Sequence, residues 1–416
     1  MEMHENSERI QRALLVGIDT GEYDAESSIE ELRELVKSSG AEPVAIMTQK
    51  RDKPDSATCI GSGRLEEITE FCAQNEIDFI VFDTELTPTQ IRNIEDATDV
   101  RTIDRTMLIL DIFAIRAKTN EGKLQVELAQ LKYLMPRLSG KGKEMSRLGG
   151  GVGTRGPGET KLETDKRHIR RRIEYLKDAL AEMTERRGRH RERRRKDGII
   201  TVAIVGYTNA GKSTLMNTLT QAGVLSEDKL FATLDPTSRA LKLPCGISVM
   251  MIDTVGLVRR LPHHLVEAFK STLEEAATAD IILNVCDASS EEYKLHLEVT
   301  EELLRELGCT DKPIIPVFNK CDLVEDPDDL PRDRGAVHIC AKFAKGIGEL
   351  LAAVEDNLPV KLRSFELLLP FDKAGLIAEL RSAGALKSEE YTAEGIIVQA
   401  VVEEPLWHRV EPYSRS

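Results

Sequence analysis

The chain has 416 residues, 41% of them hydrophobic and 31% charged, and carries a net charge of −14. That is an ordinary globular composition. No run of about 18 apolar residues occurs, which excludes a membrane-spanning helix of that kind, and seven singly placed cysteines without C-x-x-C spacing indicate neither a disulfide framework nor a zinc site.

Residues 1–118 read as an α/β domain. The start, Met1 to Gln11, is polar and has no apolar signal core, so a cytoplasmic protein is expected. Ala13–Val16, Val44–Met47 and Phe79–Phe82 are β-type runs. Between them stand the helical patterns Ile29-Leu32-Leu35-Val36 and Leu65-Ile68-Phe71. Strands alternating with helices imply a mainly parallel sheet. Gly61-Ser-Gly-Arg64 precedes the second pattern and has two readings, a simple helix start or a second nucleotide site.

Residues 119–197 change character. Leu124, Leu128, Leu131, Met135 and Leu138 are spaced 4, 3, 4, 3; Leu162, Ile169, Ile173, Leu176, Leu180 and Met183 are spaced 7, 4, 3, 4, 3. Both are heptad stripes, and two such helices joined by a loop make an antiparallel hairpin. Pro136 is expected to end or kink the first helix near its last turn. The second is expected to reach on the order of 35–50 Å. The joining loop, Ser139 to Glu159, is glycine-rich and cationic and cannot make a core. From Leu134 to Gly198 there are 20 Lys or Arg against 10 Asp or Glu. This +10 segment sits on a remainder of −24, the asymmetry of a basic arm that meets a polyanion. The alternative is a helical pair packed on a neighbouring domain.

Residues 198–360 return to α/β, with apolar runs at Ile199–Val205, Val249–Ile252, Ile281–Val285 and Ile314–Phe318. Residues 361–416 read as a small α+β unit, strand-like at Phe365–Leu369 and Ile396–Val402 and helical around Leu376–Leu380. Trp407 is expected to pack there. The expected class is thus α/β multidomain: a P-loop domain with an N-terminal α/β domain, a hairpin arm and a small C-terminal α+β domain.

Chemistry concentrates in the third segment. Gly206-Tyr207-Thr208-Asn209-Ala210-Gly211-Lys212-Ser213 fits G-x-x-x-x-G-K-[ST], after a β-run and before a helical stretch. Its glycines let backbone N–H groups close on phosphate oxygens. Lys212 would sit on the β- and γ-phosphates and Ser213 on Mg²⁺. Asp253-Thr254-Val255-Gly256 follows a strand; its carboxylate can hold Mg²⁺ through water and Gly256 can approach the γ-phosphate. Asn319-Lys320-Cys321-Asp322 changes an NTP site into a GTP site. Asp322 can accept from the ring N–H and exocyclic amine of guanine, whereas adenine presents the wrong groups. Cys340-Ala341-Lys342 would back the base. Phe231-Ala232-Thr233-Leu234-Asp235 lies where a switch threonine is needed, and Thr233 is chosen over Thr237 to complete Mg²⁺ coordination. The candidate catalytic set is therefore Lys212, Thr233, Gly256 and Asn209.

Leu257 stands where Ras-type enzymes carry a water-orienting glutamine, and no arginine finger is identifiable in the chain. Asn209 has two readings. It either hydrogen-bonds the loop or nucleotide, or helps hold a K⁺ that supplies the missing positive charge, as in potassium-stimulated GTPases whose P-loop this one resembles.

The sequence resembles the HflX family of ribosome-associated GTPases, related to the Obg group, over nearly its whole length. The residues that carry the resemblance are Gly206 to Ser213, Phe231 to Asp235, and Gly149-Gly-Gly-Val-Gly-Thr-Arg-Gly-Pro-Gly-Glu-Thr-Lys-Leu-Glu163. The resemblance implies the four-part architecture, binding to the large ribosomal subunit and its RNA, and splitting of stalled ribosomes. The glycine-rich loop would then approach the peptidyl-transferase region, and ATP has been suggested to bind the N-terminal domain. Cys340 departs mildly from the commoner serine. A monomer is expected when free. Two rivals stand beside this reading: a signalling switch with a protein effector, and an RNA-remodelling NTPase driven from the N-terminal domain.

Overall fold

The computed structural model describes residues 9–137, 157–220, 230–231, 237–259, 274–309, 311–326, 335–359, 362–382 and 385–414. The chain folds into two compact units. The first comprises Met1–Gly188, Glu227–Asp235 and Gly256–Ser271; the second comprises Arg189–Ser226, Pro236–Val255 and Thr272–Ser416. Among the described residues no helix is long and apolar enough to cross a membrane.

The first unit opens with β1 (Arg12–Asp19), α1 (Ala25–Ser38), β2 (Glu42–Lys50), α2 (Ser62–Asn75), β3 (Phe79–Phe82), α3 (Pro88–Thr98), β4 (Arg101–Asp104) and α4 (Arg105–Arg116). The sheet order is β2-β1-β3-β4 and every pairing is parallel, as the alternation implied. Leu14, Val16, Ile68, Ile80, Phe82 and Ile94 fill its core. β4 is not legible in the sequence, because the four-residue strand Arg101-Thr-Ile-Asp104 has a single fully apolar side chain; α3 and α4 flank it in the chain. Local capping fixes their ends: Thr87 and Gln90 form a reciprocal capping box on α3, and Asp104 caps α4 at Met107 N–H.

α5 (Asn120–Arg137) and α6 (Pro157–Lys196) carry the two heptad stripes. Leu128, Ile173 and Leu176 are buried together, with Leu124, Leu131, Met135, Ile169 and Leu180 around them. Arg172 makes a bidentate pair with Glu127, and Arg187 reaches Glu121, so the helices run antiparallel. Pro136 lies inside α5, one residue before its end, where its ring disturbs only the last turn, as expected. α6 is longer than expected: it has 40 residues, about 60 Å at 1.5 Å per residue, because it begins inside the expected loop and runs unbroken through the basic stretch to Lys196. The cations Lys141, Lys143, Arg147 and Arg155 lie outside the described residues.

The second unit is built on β5 (Ile200–Gly206), α7 (Lys212–Thr220), β6 (Thr237–Lys242), β7 (Ser248–Asp253), β8 (Ile281–Asp287), α8 (Tyr293–Glu306), β9 (Ile314–Asn319), β10 (Val337–His338) and α9 (Ile347–Asp356). The sheet order is β10-β9-β8-β5-β7-β6, parallel except for the β6–β7 hairpin. Val202, Ile204, Leu215, Leu283, Val317 and Leu350 belong to its core. All three nucleotide motifs begin at or just after the carboxyl ends of strands β5, β7 and β9, where open α/β sheets bind ligands.

The chain ends in β11 (Leu362–Leu369), α10 (Ala374–Ser382), β12 (Leu386–Tyr391), β13 (Ile396–Glu403) and α11 (Glu404–Val410), an antiparallel sheet ordered β11-β13-β12. Trp407 packs on its core and donates its indole N–H to Val402 O at 2.6 Å.

Candidate functional site

The phosphate loop grows out of the central strand β5. Gly206 has φ +153°, and a Cβ there would lie 2.0 Å from Val285 O, so only glycine lets β5 turn beside β8. Tyr207 is buried and stacks on His296, ring centroids 3.9 Å apart. Thr208 is also buried, and its hydroxyl has no hydrogen-bond partner among the described residues. Asn209 is exposed in the left-handed region at φ +60°. Gly211, at φ +88°, passes so close to Asn319 that a Cβ would lie 2.2 Å from its Nδ2.

Lys212 is the first residue of α7 and is 6% exposed. Its ammonium donates to Gly206 O at 3.0 Å and Tyr207 O at 2.7 Å. Burial pulls its pKa down to about 8, against the opposing pull of Asp253. Ser213 Oγ donates to Asp253 Oδ2 at 2.9 Å. A hydroxyl and a buried carboxylate at this separation are oxygen donors suited to a small hard cation, so the residues present fit Mg²⁺. Thr254 Oγ donates to Ile204 O at 2.7 Å, tying the exit of β7 to β5.

The end expected to read the base centres on Asn319, which is 2% exposed at the end of β9. Its Nδ2 donates to Ala210 O at 2.9 Å, and its Oδ1 accepts from Ala341 N–H at 2.9 Å. One side chain therefore joins the phosphate loop to the loop Cys340–Lys342. Thr218, on α7, donates to Ala341 O at 2.8 Å and reinforces that joint. Lys320 adopts φ +61° and Asp322 is exposed. Cys321 donates its thiol to Phe318 O at 3.2 Å. Burial, then a hydrogen bond with Asp322, pushes the Cys340 thiol up. Lys342 sits over the Phe343 ring at 5.4 Å.

The switch residues are only partly visible. Ala232, Thr233, Leu234 and Asp235 lie outside the described residues. In the first unit, Phe231 is buried edge-on against Phe113 at 4.5 Å, and Leu230 N–H donates to Ser38 Oγ at 3.0 Å. Val255, Gly256 and Leu257 are buried.

The basic arm is less free than its sequence suggests. In the second unit, Arg191 pairs with Glu274 at 3.4 Å and with Glu275 at 3.6 Å, and Arg194 pairs with Glu275 at 3.5 Å. These acids lie some 80 residues away, so no local reading of the Arg186–Lys196 run could have found them. Gly61 caps the start of α2, with its N–H on Gln49 Oε1 at 2.8 Å, and Arg64 donates to Thr48 O.

Comparison with known proteins agrees along the chain. Residues 26–114 match a family described as GTP-binding GTPase N-terminal, residues 116–194 one described as GTP-binding GTPase Middle Region, and residues 201–320 one described as 50S ribosome-binding GTPase. A GTPase HflX of Caldanaerobacter subterraneus subsp. tengcongensis is 49% identical over 96% of this chain and 93% of its own length. The GTPase HflX of Escherichia coli is 39% identical over 93% of this chain and 92% of its own. Among solved structures, a GTP-binding protein from the archaeon Sulfolobus solfataricus in complex with GDP aligns at TM-score 0.45 and 26% identity, over 83% of this chain and 98% of that one.

Proposed function

This chain belongs to the GTPase HflX family and is a GTP hydrolase, and from that premise we propose that it acts in the cytoplasm on the large ribosomal subunit, splitting stalled ribosomes under GTP control. The observation that carries the proposal is the +10 segment from Leu134 to Gly198, joined directly to a GTPase domain in a protein of net charge −14. Cations that meet phosphates supply affinity by releasing counterions. A family match described as 50S ribosome-binding GTPase points to the same polyanion.

At the nucleotide, the roles follow from the atoms. Backbone N–H groups of residues 207–213 and the α7 N-terminus face phosphate oxygens. Lys212 places its charge at the β- and γ-phosphates. Ser213, Asp253 and Thr233 would hold Mg²⁺, which supplies charge neutralisation when bound. Asp322 accepts from guanine, and Asn319 keeps the base loop and phosphate loop in one piece. Gly256 brings its N–H to the γ-phosphate. Leu257 cannot orient water, so turnover depends on a group contributed by the ribosome or by a cation.

Two expected results test this reading. Changing Lys141, Lys143, Arg147 and Arg155 together to alanine is expected to weaken ribosome co-sedimentation and flatten its salt slope by roughly 3–4, while GTP affinity stays near that of the parent. Ribosome binding equal to the parent's would instead favour a protein effector.

The second result concerns Asn209, exposed at the tip of the phosphate loop. Its side-chain oxygen can join phosphate oxygens and switch carbonyls around K⁺, which sheds water more readily than Na⁺. GTP hydrolysis is therefore expected to run several-fold faster in KCl than in NaCl at equal ionic strength, a difference of about 1 kcal/mol in barrier. Asn209→Ala is expected to erase the difference. Equal parent rates in both salts, free and on ribosomes, would remove the cation.

A further inference from the structure

The GTP site contains a carboxylate that none of its motifs includes. Asp287 ends β8 and stands in register with Asn319, which ends β9. Ala288 N–H donates to Asn319 O at 2.8 Å, so the two strand ends are locked together where the base-recognition loop begins. Asp287 itself is held from one side: Ser289 donates both its N–H, at 3.0 Å, and its hydroxyl, at 2.6 Å, to Oδ1. That leaves Oδ2 aimed outward, and Lys320 Nζ meets it at 2.8 Å. The two side chains are 24% exposed for Lys320 and 20% for Asp287, so the pair is sheltered from bulk water.

We propose that Asp287 is a positioning residue for guanine, acting through Lys320; the inference rests on reading Asn319 to Asp322 as the base-recognition loop. Lys320 lies between Asn319 and Asp322 and holds φ +61°, a conformation unusual outside glycine, which directs its side chain differently from those of its neighbours. A lysine has four rotatable bonds in its stem, and a free one loses that freedom when a ligand orders it. Anchoring the ammonium to a carboxylate that is itself fixed by Ser289 removes the freedom beforehand. The methylene stem is then presented as a fixed apolar wall beside the groups that read the base. The effect falls on the base and not on the phosphates, so GTP and GDP gain equally.

The test measures GTP and GDP affinity on the full chain, with steady-state hydrolysis beside it. Asp287→Ala is expected to weaken both nucleotides by the same factor, about five- to tenfold. It should raise KM accordingly and change kcat by less than about twofold. Asp287→Asn retains an oxygen acceptor for Lys320 and should recover most of the loss. Because the carboxylate acts through the lysine, Asp287→Ala added to Lys320→Ala should cost less than about twofold more.

Unchanged affinity in Asp287→Ala would overturn the proposal, as would an undiminished loss in the Lys320→Ala background. A loss for GTP alone would do the same, since it would place the effect at the γ-phosphate. If Asp287→Ala does not fold, Ser289→Ala decides. It removes the hydroxyl donor to Oδ1 and keeps the backbone N–H, so it should give a smaller loss, about twofold, for both nucleotides; no loss overturns the proposal. Asp322→Asn separates the two readings: it should cost GTP at least about tenfold and gain xanthosine triphosphate. GTP affinity unaltered in that variant would refute the base loop itself, whatever Asp287 does.

Discussion

Asn319→Ala is expected to destabilise the GTPase domain by about 3–5 kcal/mol and to weaken GTP binding about a hundredfold. The substitution deletes two hydrogen bonds at once, and both partners are buried backbone groups. Ala210 and Ala341 are each 1% exposed. Their C=O and N–H have Asn319 as partner at 2.9 Å on either side. Each buried polar group left alone costs about 1–3 kcal/mol, because water cannot replace the lost bond. Packing is lost as well, since the Asn319 amide fills the volume that a Cβ on Gly211 would claim. The phosphate loop and the base-backing loop would then move independently, and the nucleotide would have to order both. Urea unfolding and a fluorescent GTP analogue measure the two effects. Asn319→Asp is a useful companion: it keeps an acceptor for Ala341 N–H but sets an oxygen against the buried Ala210 C=O, so it should lose at least as much as alanine. GTP affinity within about threefold of the parent in Asn319→Ala would mean that the loops are held together by something else.

Lys212→Met is expected to abolish measurable GTP hydrolysis and to lower GTP affinity by about two orders of magnitude, without destabilising the protein measured in the absence of added nucleotide. The two halves have one cause. Lys212 carries its charge in a buried place, where two carbonyls and the attraction of Asp253 only partly replace water. Burial holds its pKa at about 8, below the ordinary value of a lysine. A lysine with a lowered folded pKa binds fewer protons in the folded chain than in the unfolded one. Its cost to stability is therefore full below about pH 8 and disappears as the pH rises past the unfolded value, about 10.4. Met removes that cost and loses the charge the phosphates need. Thermal unfolding at about pH 7 should give a midpoint no lower than the parent's. The parent's stability gain between about pH 8 and 10.5 should shrink in the variant. A midpoint several degrees below the parent's would show that the ammonium holds the loop up and that the carbonyl contacts outweigh its desolvation.

Much of the site is legible in the sequence because its groups are contiguous. A phosphate loop must be made of neighbouring N–H groups, so Gly206 to Ser213 appear together. The strand that carries it is apolar, so Ile199–Val205 announces it. The heptads of α5 and α6 are legible for the same reason: Leu128 and Leu176 repeat at a spacing that only a helix turns into one face. The start of α6 is not. Pro157 suits a first helical turn, but the glycines and charges around it carry no apolar period to show where the helix begins.

The sequence by itself therefore gave each motif an expected role: phosphate cradle, Mg²⁺ ligands, guanine reader, basic arm. Function of that kind depends on which groups stand side by side along the chain. Only the tertiary structure decided how the motifs are joined. Asn319 meets Ala210 across 109 residues and Thr218 meets Ala341 across 123. Asp287 faces Lys320 only because β8 and β9 are neighbours in a sheet ordered β10-β9-β8-β5-β7-β6. Glu274 and Glu275 claim two arginines of the run that sequence charge assigned to a polyanion. Strand order is set by the burial of a whole core, which no local period encodes, and long-range polar partners follow from strand order.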